Sequence, residues 1–417
     1  MLIMRFFCIP VLLALAIIQI HFALYEQTEY SRNENASSLH KYQSNPYLLT
    51  WLGKQKHLFD ADLEMANTLY QKALQINSVY IPAWLGLAEL QFDQRQKENA
   101  NAILEYSGGL LDEVKRWRWD KALVAYQFDR KDILAPDLSY IIRKIPGKPR
   151  NDALRLAFAQ WPDAIKLQEQ LGDATLEHLF QYATRKRKAK QGLILWDSFK
   201  TEDFENQKRE TLAFIDMLMG QSEVESAATI WSKYFNATSL LFNGDFDKEP
   251  LQTAFGWHIG KNKGASWYLQ EATKKDPQPS LHLHFKRQKN INLHNIYQIV
   301  PLLGGKVYAL KGDIKTKNLT TDQLPFLEAY GYKCKAPRNH TEMVSSDQDW
   351  TDIYLLFEVP MECDAMVIRL RRRESTQIDN KLAGDIWLGI SGWQISKLQK
   401  PMKYSPSLTK NNAHHTR

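Results

Sequence analysis

From about Asn45 to Ser239 apolar residues recur three or four positions apart, the spacing that gathers them on one face of an α-helix. The stretches MANTLYQKALQIN, WLGLAELQF, LLDEVKRWRWDKALVAYQF, NDALRLAFAQW, TLAFIDMLMGQ and EVESAATIWSKYF each predict an amphipathic helix. PDLSYIIRKIPGKP is expected to break the run at its prolines, with Asn151 as the N-cap of the next helix. At NGDFDKEPLQTAFGWHIG the pattern changes, and beyond Asn243-Gly244 the period falls to two. In LHLHF, Leu281, Leu283 and Phe285 alternate with His282, His284 and Lys286. Strands are expected there, on both sides of the PLLGG turn, and at DIYLLFEVP and AMVIRLRRR. GDIWLGISGWQI reads as one last strand, and NGDF as the entry to the first. Short strands separated by turns predict a β-sandwich or jelly roll, so the chain is multidomain, an α-helical solenoid followed by an all-β domain.

Before the helices stands FFCIPVLLALAIIQIHFAL, Phe6 to Leu24, about the length a helix needs to cross a bilayer. Arg5 precedes it and Glu26 and Glu29 follow, which places the N-terminus in the cytoplasm and the body outside. A cleaved signal peptide ending near Ala14-Leu15-Ala16 is the rival reading, and it would leave IIQIHFAL on the mature end. The expected layout is an anchor over 1–25 and a polar spacer over 26–44. Helical repeats follow over 45–239, a strand domain over 240–398 and a basic, disordered tail over 399–417.

The net charge of +7 favours acidic partners. Export points to acidic polysaccharide or anionic lipid and away from nucleic acid. RKRKAK, Arg185 to Lys190, reads as a solvated helix face or as a contact for such anions. Of three cysteines, Cys8 falls in the apolar run. Cys334 and Cys363 remain, as a disulfide in an oxidising compartment or as two buried thiols.

Ala66, Tyr70 and Ala73 recur 34 positions later as Ala100, Leu104 and Ser107, with Trp84, Leu87 and Ala88 between them. This resembles the tetratricopeptide repeat, which implies stacked helix pairs whose small residues allow close approach and whose concave face binds proteins. Ser78 stands where that repeat usually has proline. The strand half resembles carbohydrate-binding-module jelly rolls of the galactose-binding-like kind. The resemblance rests on NGDF, Trp257, YQIVPLLGGKVYAL, the stretch from Trp350 through Phe357 to Pro360, and GDIWLGISGW. The whole chain resembles membrane-anchored tetratricopeptide proteins of bacterial exopolysaccharide and exosortase-type loci. That likeness implies a single-pass protein of the bacterial inner membrane with its bulk in the periplasm. It also favours the disulfide, because paired cysteines of those proteins fall near Cys334 and Cys363. Related modules hold a structural calcium, for which Asp247 would be one ligand, although Leu388 and Gly389 occupy the place of the other acid. No other cofactor is expected.

Sugars stack on exposed aromatic faces, so Trp257, Trp267 and Tyr268 are candidate glycan contacts. Trp257 is equally a candidate core anchor, and Trp350, Trp387 and Trp393 are expected inside. His282, His284 and His294 are expected to face solvent, a metal site being the sharper alternative. No nucleophile elbow, P-loop, HExxH or dinucleotide fingerprint occurs. A non-enzymatic scaffold is therefore expected, binding protein partners through its repeats and glycan or protein through its jelly roll. The alternative is a glycan hydrolase or lyase, which needs two carboxylates roughly 5 to 10 Å apart.

Overall fold

The computed structural model describes residues 44–111, 115–199, 204–235, 239–272, 279–389 and 393–398. The Phe6–Leu24 run and the basic tail lie outside the described residues. Among the described residues no helix is long and apolar enough to cross a membrane. Among the described residues twelve α-helices precede eleven strands, giving a helical region followed by antiparallel sheets.

The first helices are α1 (Pro46–Leu58), α2 (Leu63–Ile76), α3 (Ile81–Asp93) and α4 (Lys97–Leu110). Asn45 caps α1 by accepting from Tyr47 N at 2.9 Å, and Asp62 caps α2 by accepting from Met65 N at 3.0 Å. They pack in pairs around Tyr70, which is fully buried. A Cβ on Gly53 of α1 would lie 2.7 Å from the Tyr70 ring, and one on Gly86 of α3 would lie 2.6 Å from it. Two glycines thus make the notch that admits the ring. Ala66 is buried in the same cluster, Ala73, Ala88, Ala100 and Leu104 are also buried, and Trp84 is half-buried. The Trp84 indole donates to the carbonyl of Ser78 at 2.7 Å and meets Tyr106 edge-on at 4.9 Å.

The next helices are α5 (Arg118–Gln127), α6 (Lys131–Lys144), α7 (Lys148–Gln160) and α8 (Ala164–Leu171). The helical run does break at Pro146, between α6 and α7, but two local expectations fail here. Pro136 lies inside α6, one turn from its start, where a proline forfeits a single helical hydrogen bond. The cap of α7 is Gly147, at φ +84°, and Asn151 sits within the helix. Asp137, next to Pro136, is buried between Arg118 and Lys121 at 2.9 Å from each.

The last helices are α9 (Leu176–Arg185), α10 (Ala189–Phe199), α11 (Phe204–Gly220) and α12 (Val224–Phe235). RKRKAK spans the end of α9, a three-residue turn and the start of α10, and Arg187 in the turn has φ 55°. By packing the chain forms two compact units, and the division does not fall at Asn243. One unit runs to Tyr182 and takes back Ile194–Phe199. The other comprises Ala183–Leu193 and the chain after Phe199, so α11 and α12 belong with the strands.

In that second unit the C-terminal end of α11 carries unpaired carbonyls and partial negative charge. Lys333 Nζ donates to the carbonyls of Met219 (2.9 Å) and Gly220 (2.7 Å), and Arg187 donates to that of Gly220 at 3.1 Å. Asp216, on the same helix, accepts from Ala254 N at 2.7 Å and from the Thr253 hydroxyl. Trp231 of α12 meets Phe242 and Phe255 edge-on at 5.1 and 5.7 Å.

The strands are β1 (His258–Ile259), β2 (Ala265–Gln270), β3 (Ser280–Lys286), β4 (Leu293–Pro301), β5 (Lys306–Lys317) and β6 (Phe326–Gly331). After them come β7 (Asn339–His340), β8 (Gln348–Val359), β9 (Ala365–Arg372), β10 (Ala383–Leu388) and β11 (Gln394–Lys397). They form a five-stranded sheet, β1-β4-β9-β6-β7, and a six-stranded sheet, β11-β5-β10-β3-β2, with β8 on the other edge of β5. One apolar core draws on the inward residues of both, including Leu281, Leu283, Phe285, Ile368 and Leu370. GDIWLGISGWQI is two strands, because Gly389 at φ +100° turns the chain after β10. The Cys334–Cys363 disulfide joins the segment after β6 to the start of β9, with Cα atoms 5.6 Å apart.

NGDF is a turn, with its backbone spent on close packing. Trp393 N donates to the carbonyl of Gly244 at 2.8 Å, and a Cβ on Gly244 would lie 2.0 Å from the Trp393 carbonyl oxygen. Phe246 is fully buried against Trp257 at 5.2 Å. The contact at Gly244 is backbone on both sides and has no flexible side chain to yield. Gly244→Ala is therefore expected to cost about 3 kcal/mol. Gly109→Ala, where a Cβ meets nothing within 4 Å, is the control. Thermal unfolding checks both, with Tm falling for the first and holding or rising for the second.

Candidate functional site

The six-stranded sheet sends alternate side chains to opposite faces. On β2 the inward residues are Ala265, Trp267 and Leu269, which pack on the core. Trp267 is thus a packing residue, and only Tyr268 of the adjacent pair reaches the outer face, 49% exposed. Trp257 is also excluded as a platform. It is 1% exposed, meets Trp393 edge-on at 6.0 Å and donates to the Asn243 carbonyl at 3.0 Å.

Cross-strand register carries Tyr268 onto a row of outward side chains. Tyr268 pairs with His282 of β3, His282 with Trp387 of β10, and Trp387 with Lys315 of β5. The Lys315 ammonium then lies 5.9 Å from the Trp387 ring and 5.9 Å from the Trp350 ring on β8. The row crosses five strands, roughly 19 Å at the usual spacing of about 4.8 Å. His282 lies flat on Trp387 at 4.3 Å and edge-on to Tyr268 at 4.5 Å. The expectation that Trp350 and Trp387 pack inside is corrected, since both are half-buried on this outer face. Only Trp393 of the three is in the core, 2% exposed.

Polar groups fix the row. The Trp387 indole donates to Gln270 Oε1 at 2.9 Å. Asp385 Oδ1 lies 2.8 Å from both His282 Nε2 and His284 Nδ1, so one carboxylate oxygen orients two imidazoles. Lys315 lies 3.1 Å from Asp349 Oδ1. Further along the sheet Asp313 stands opposite Asp352. A hydrogen bond from Asp313, and one from Tyr354 Oη at 3.0 Å, hold the Asp352 carboxyl below the ordinary carboxylate range.

His282 was expected to face solvent, yet it is 7% exposed, shielded by its aromatic neighbours. The sequence signal was the single-residue alternation HLH, which places His282 and His284 on one face but not what flanks them. Among the described residues no group of three or more His, Cys, Asp or Glu is arranged to hold a metal ion. Asp247, the residue considered for calcium, is exposed beside Lys248, 4.0 Å from its Nζ.

No family model matches the chain, and no curated protein matches it. Among solved structures it is similar to the carbohydrate-binding module CBM4, with 16% identity over 38% of this chain and 99% of that one, at a TM-score of 0.27. It is similar to a carbohydrate-binding module of Cellvibrio mixtus lichenase 5A solved with cellotriose, with 13% identity over 34% and 92% of the two chains and a TM-score of 0.21. It is also similar to YrrB, a tetratricopeptide protein with an unusual peptide-binding site, with 12% identity over 49% and 93% and a TM-score of 0.23.

Burial holds the His282 pKa below its ordinary value, against the opposing pull of Asp385. The unfolded chain then binds more protons than the folded one between the lowered folded pKa and the unfolded value of about 6.5. Stability should fall as pH drops through that window. Tm measured against pH should decline below about 6.5, and His282→Asn should flatten the decline.

Proposed function

We propose that this chain is a membrane-anchored periplasmic binding protein serving exopolysaccharide or cell-surface polysaccharide biosynthesis or export. Its helical repeats engage protein partners, and the outer face of its six-stranded sheet binds glycan. The observation that carries the glycan reading is the row Tyr268, His282, Trp387, Lys315 and Trp350. Sugar rings present apolar C–H faces that stack on aromatic rings, and their hydroxyls take hydrogen bonds from groups placed beside the stack. Gln270, His284 and Asp385 are such groups. A row that runs across the sheet suits a linear polymer lying along it. The lysine and the net charge of +7 favour acidic polymers over neutral ones.

Anchoring rests on the Phe6–Leu24 run between Arg5 and Glu26. Protein binding rests on the paired helices around Tyr70, whose stacking leaves helix faces for partners.

The test is equilibrium binding of the full chain to a panel of acidic and neutral polysaccharides. Trp387→Ala and Tyr268→Ala should each weaken binding by about tenfold while leaving Tm nearly unchanged. Trp267→Ala should lower Tm, because that ring packs inward. Binding that is indifferent to Trp387→Ala would remove the glycan reading from this face.

A further inference from the structure

Within the strand-bearing unit, α12, residues 239–242 and the turn between β4 and β5 enclose an apolar cavity of about 720 Å³. Small organic ligands occupy cavities of roughly 300 to 1,000 Å³. No residue of the aromatic row lines this one. Its wall carries four aromatic side chains, Trp231, Phe242, Phe255 and Tyr308. Trp231, Phe255 and Tyr308 are buried, whereas Leu240 and Leu303 of the same wall are 42% and 63% exposed. Apolar surface thus continues from the interior out to solvent.

The wall is fixed before anything enters. Leu303 N donates to the Tyr308 hydroxyl at 3.0 Å, Leu302 N to the Asp364 carbonyl at 3.0 Å and Gly305 N to the Val359 carbonyl at 2.7 Å. A Cβ on Gly304 would lie 2.6 Å from the Met361 carbonyl oxygen, so the β4–β5 turn closes directly on backbone. A ligand therefore meets a formed surface and has little ordering to supply.

The polar groups of the wall select a charge. Thr229 Oγ1 donates to the Glu225 carbonyl and Ser232 Oγ to the Thr229 carbonyl, each at 3.0 Å. Those hydroxyls are spent on their own helix. Glu225 and Asp364 are exposed, and Lys397 is the one cation of the lining. Among the described residues neither acid enters an ion pair. Two acids to one lysine reverse the sign of a chain whose net charge is +7. An ammonium is attracted both by carboxylates and by the faces of aromatic rings. A neutral molecule can use only the apolar wall, and an anion meets two like charges there.

We infer that this cavity binds a small organic cation, an aryl or alkyl ammonium. Its apolar body would fill the aromatic interior and its charge would lie beside Glu225 and Asp364. Nothing in this depends on glycan binding at the outer sheet face. The full chain is titrated with phenethyltrimethylammonium, 2-phenylethanol and 2-phenylethanesulfonate, which share one apolar body and differ in charge. The ammonium should bind about tenfold more tightly than the alcohol. The sulfonate should bind more weakly than either, and the spread should narrow as salt rises. Glu225→Gln with Asp364→Asn should equalise ammonium and alcohol while leaving the alcohol's affinity and Tm nearly unchanged. Ala228→Phe, placed on α12 in the cavity wall, should weaken binding of ammonium and alcohol alike without lowering Tm. Equal affinity for ammonium and alcohol in the unaltered chain, or a preference that survives the double variant, overturns the choice of a cation. Binding that is untouched by Ala228→Phe, or no binding of the ammonium at all, overturns the site.

Discussion

Trp393 holds three parts of the strand-bearing unit at one point, and the outer face of the six-stranded sheet depends on that junction. Its backbone N–H bonds Gly244, its indole N–H donates to the Asp313 carbonyl at 3.1 Å, and its ring lies against Gly312. A Cβ at residue 312 would stand 2.7 Å from the indole. The opening turn, the long strand β5 and the last strand therefore meet at a single side chain. β5 pairs with β8 along one edge and with β10 and β11 along the other. Its outward Lys315 reaches two tryptophan rings because the strand is held in that register.

The helices beside the sheets belong to the same packing unit for an electrostatic reason as well as an apolar one. The carbonyl end of α11 receives Lys333 from the strand region and Arg187 from the turn before α10. Two cations at a helix C-terminus offset the partial charge that would otherwise face solvent. The basic run RKRKAK accordingly gives one of its members to a structural contact within its own unit.

Polar groups wholly or partly withdrawn from water fix their neighbours at several places in the strand-bearing unit. The partly exposed Asp385 orients His282 and His284 in the aromatic row, and the buried Arg372 organises Asn290 of the β3–β4 loop. On the five-stranded sheet, Glu328 is 5% exposed and is paired by Arg369 at 2.6 Å, with Arg338 at 3.4 Å. Arg369 and Arg338 also cover the Tyr330 ring at 4.6 and 4.8 Å. In each place a charge withdrawn from water holds other side chains in one arrangement, which is what a recognition surface requires.

Periodicity alone settled the order of helices and strands, because burial on one face demands a repeat near 3.6 in a helix and 2 in a strand. It also placed Leu281, Leu283 and Phe285 inward and the histidines outward. The spaced alanines and Tyr70 were legible as close-packing positions, although Gly53 and Gly86, which make room for the ring, were not. Register and unit boundaries escaped it. Nothing local pairs His282 with Trp387, since residues more than a hundred positions apart become neighbours only through strand pairing. For the same reason Trp267 and Trp387 exchanged their expected roles. An indole has the same composition whether it faces core or solvent, and only the sheet's alternation, set by long-range pairing, decides which.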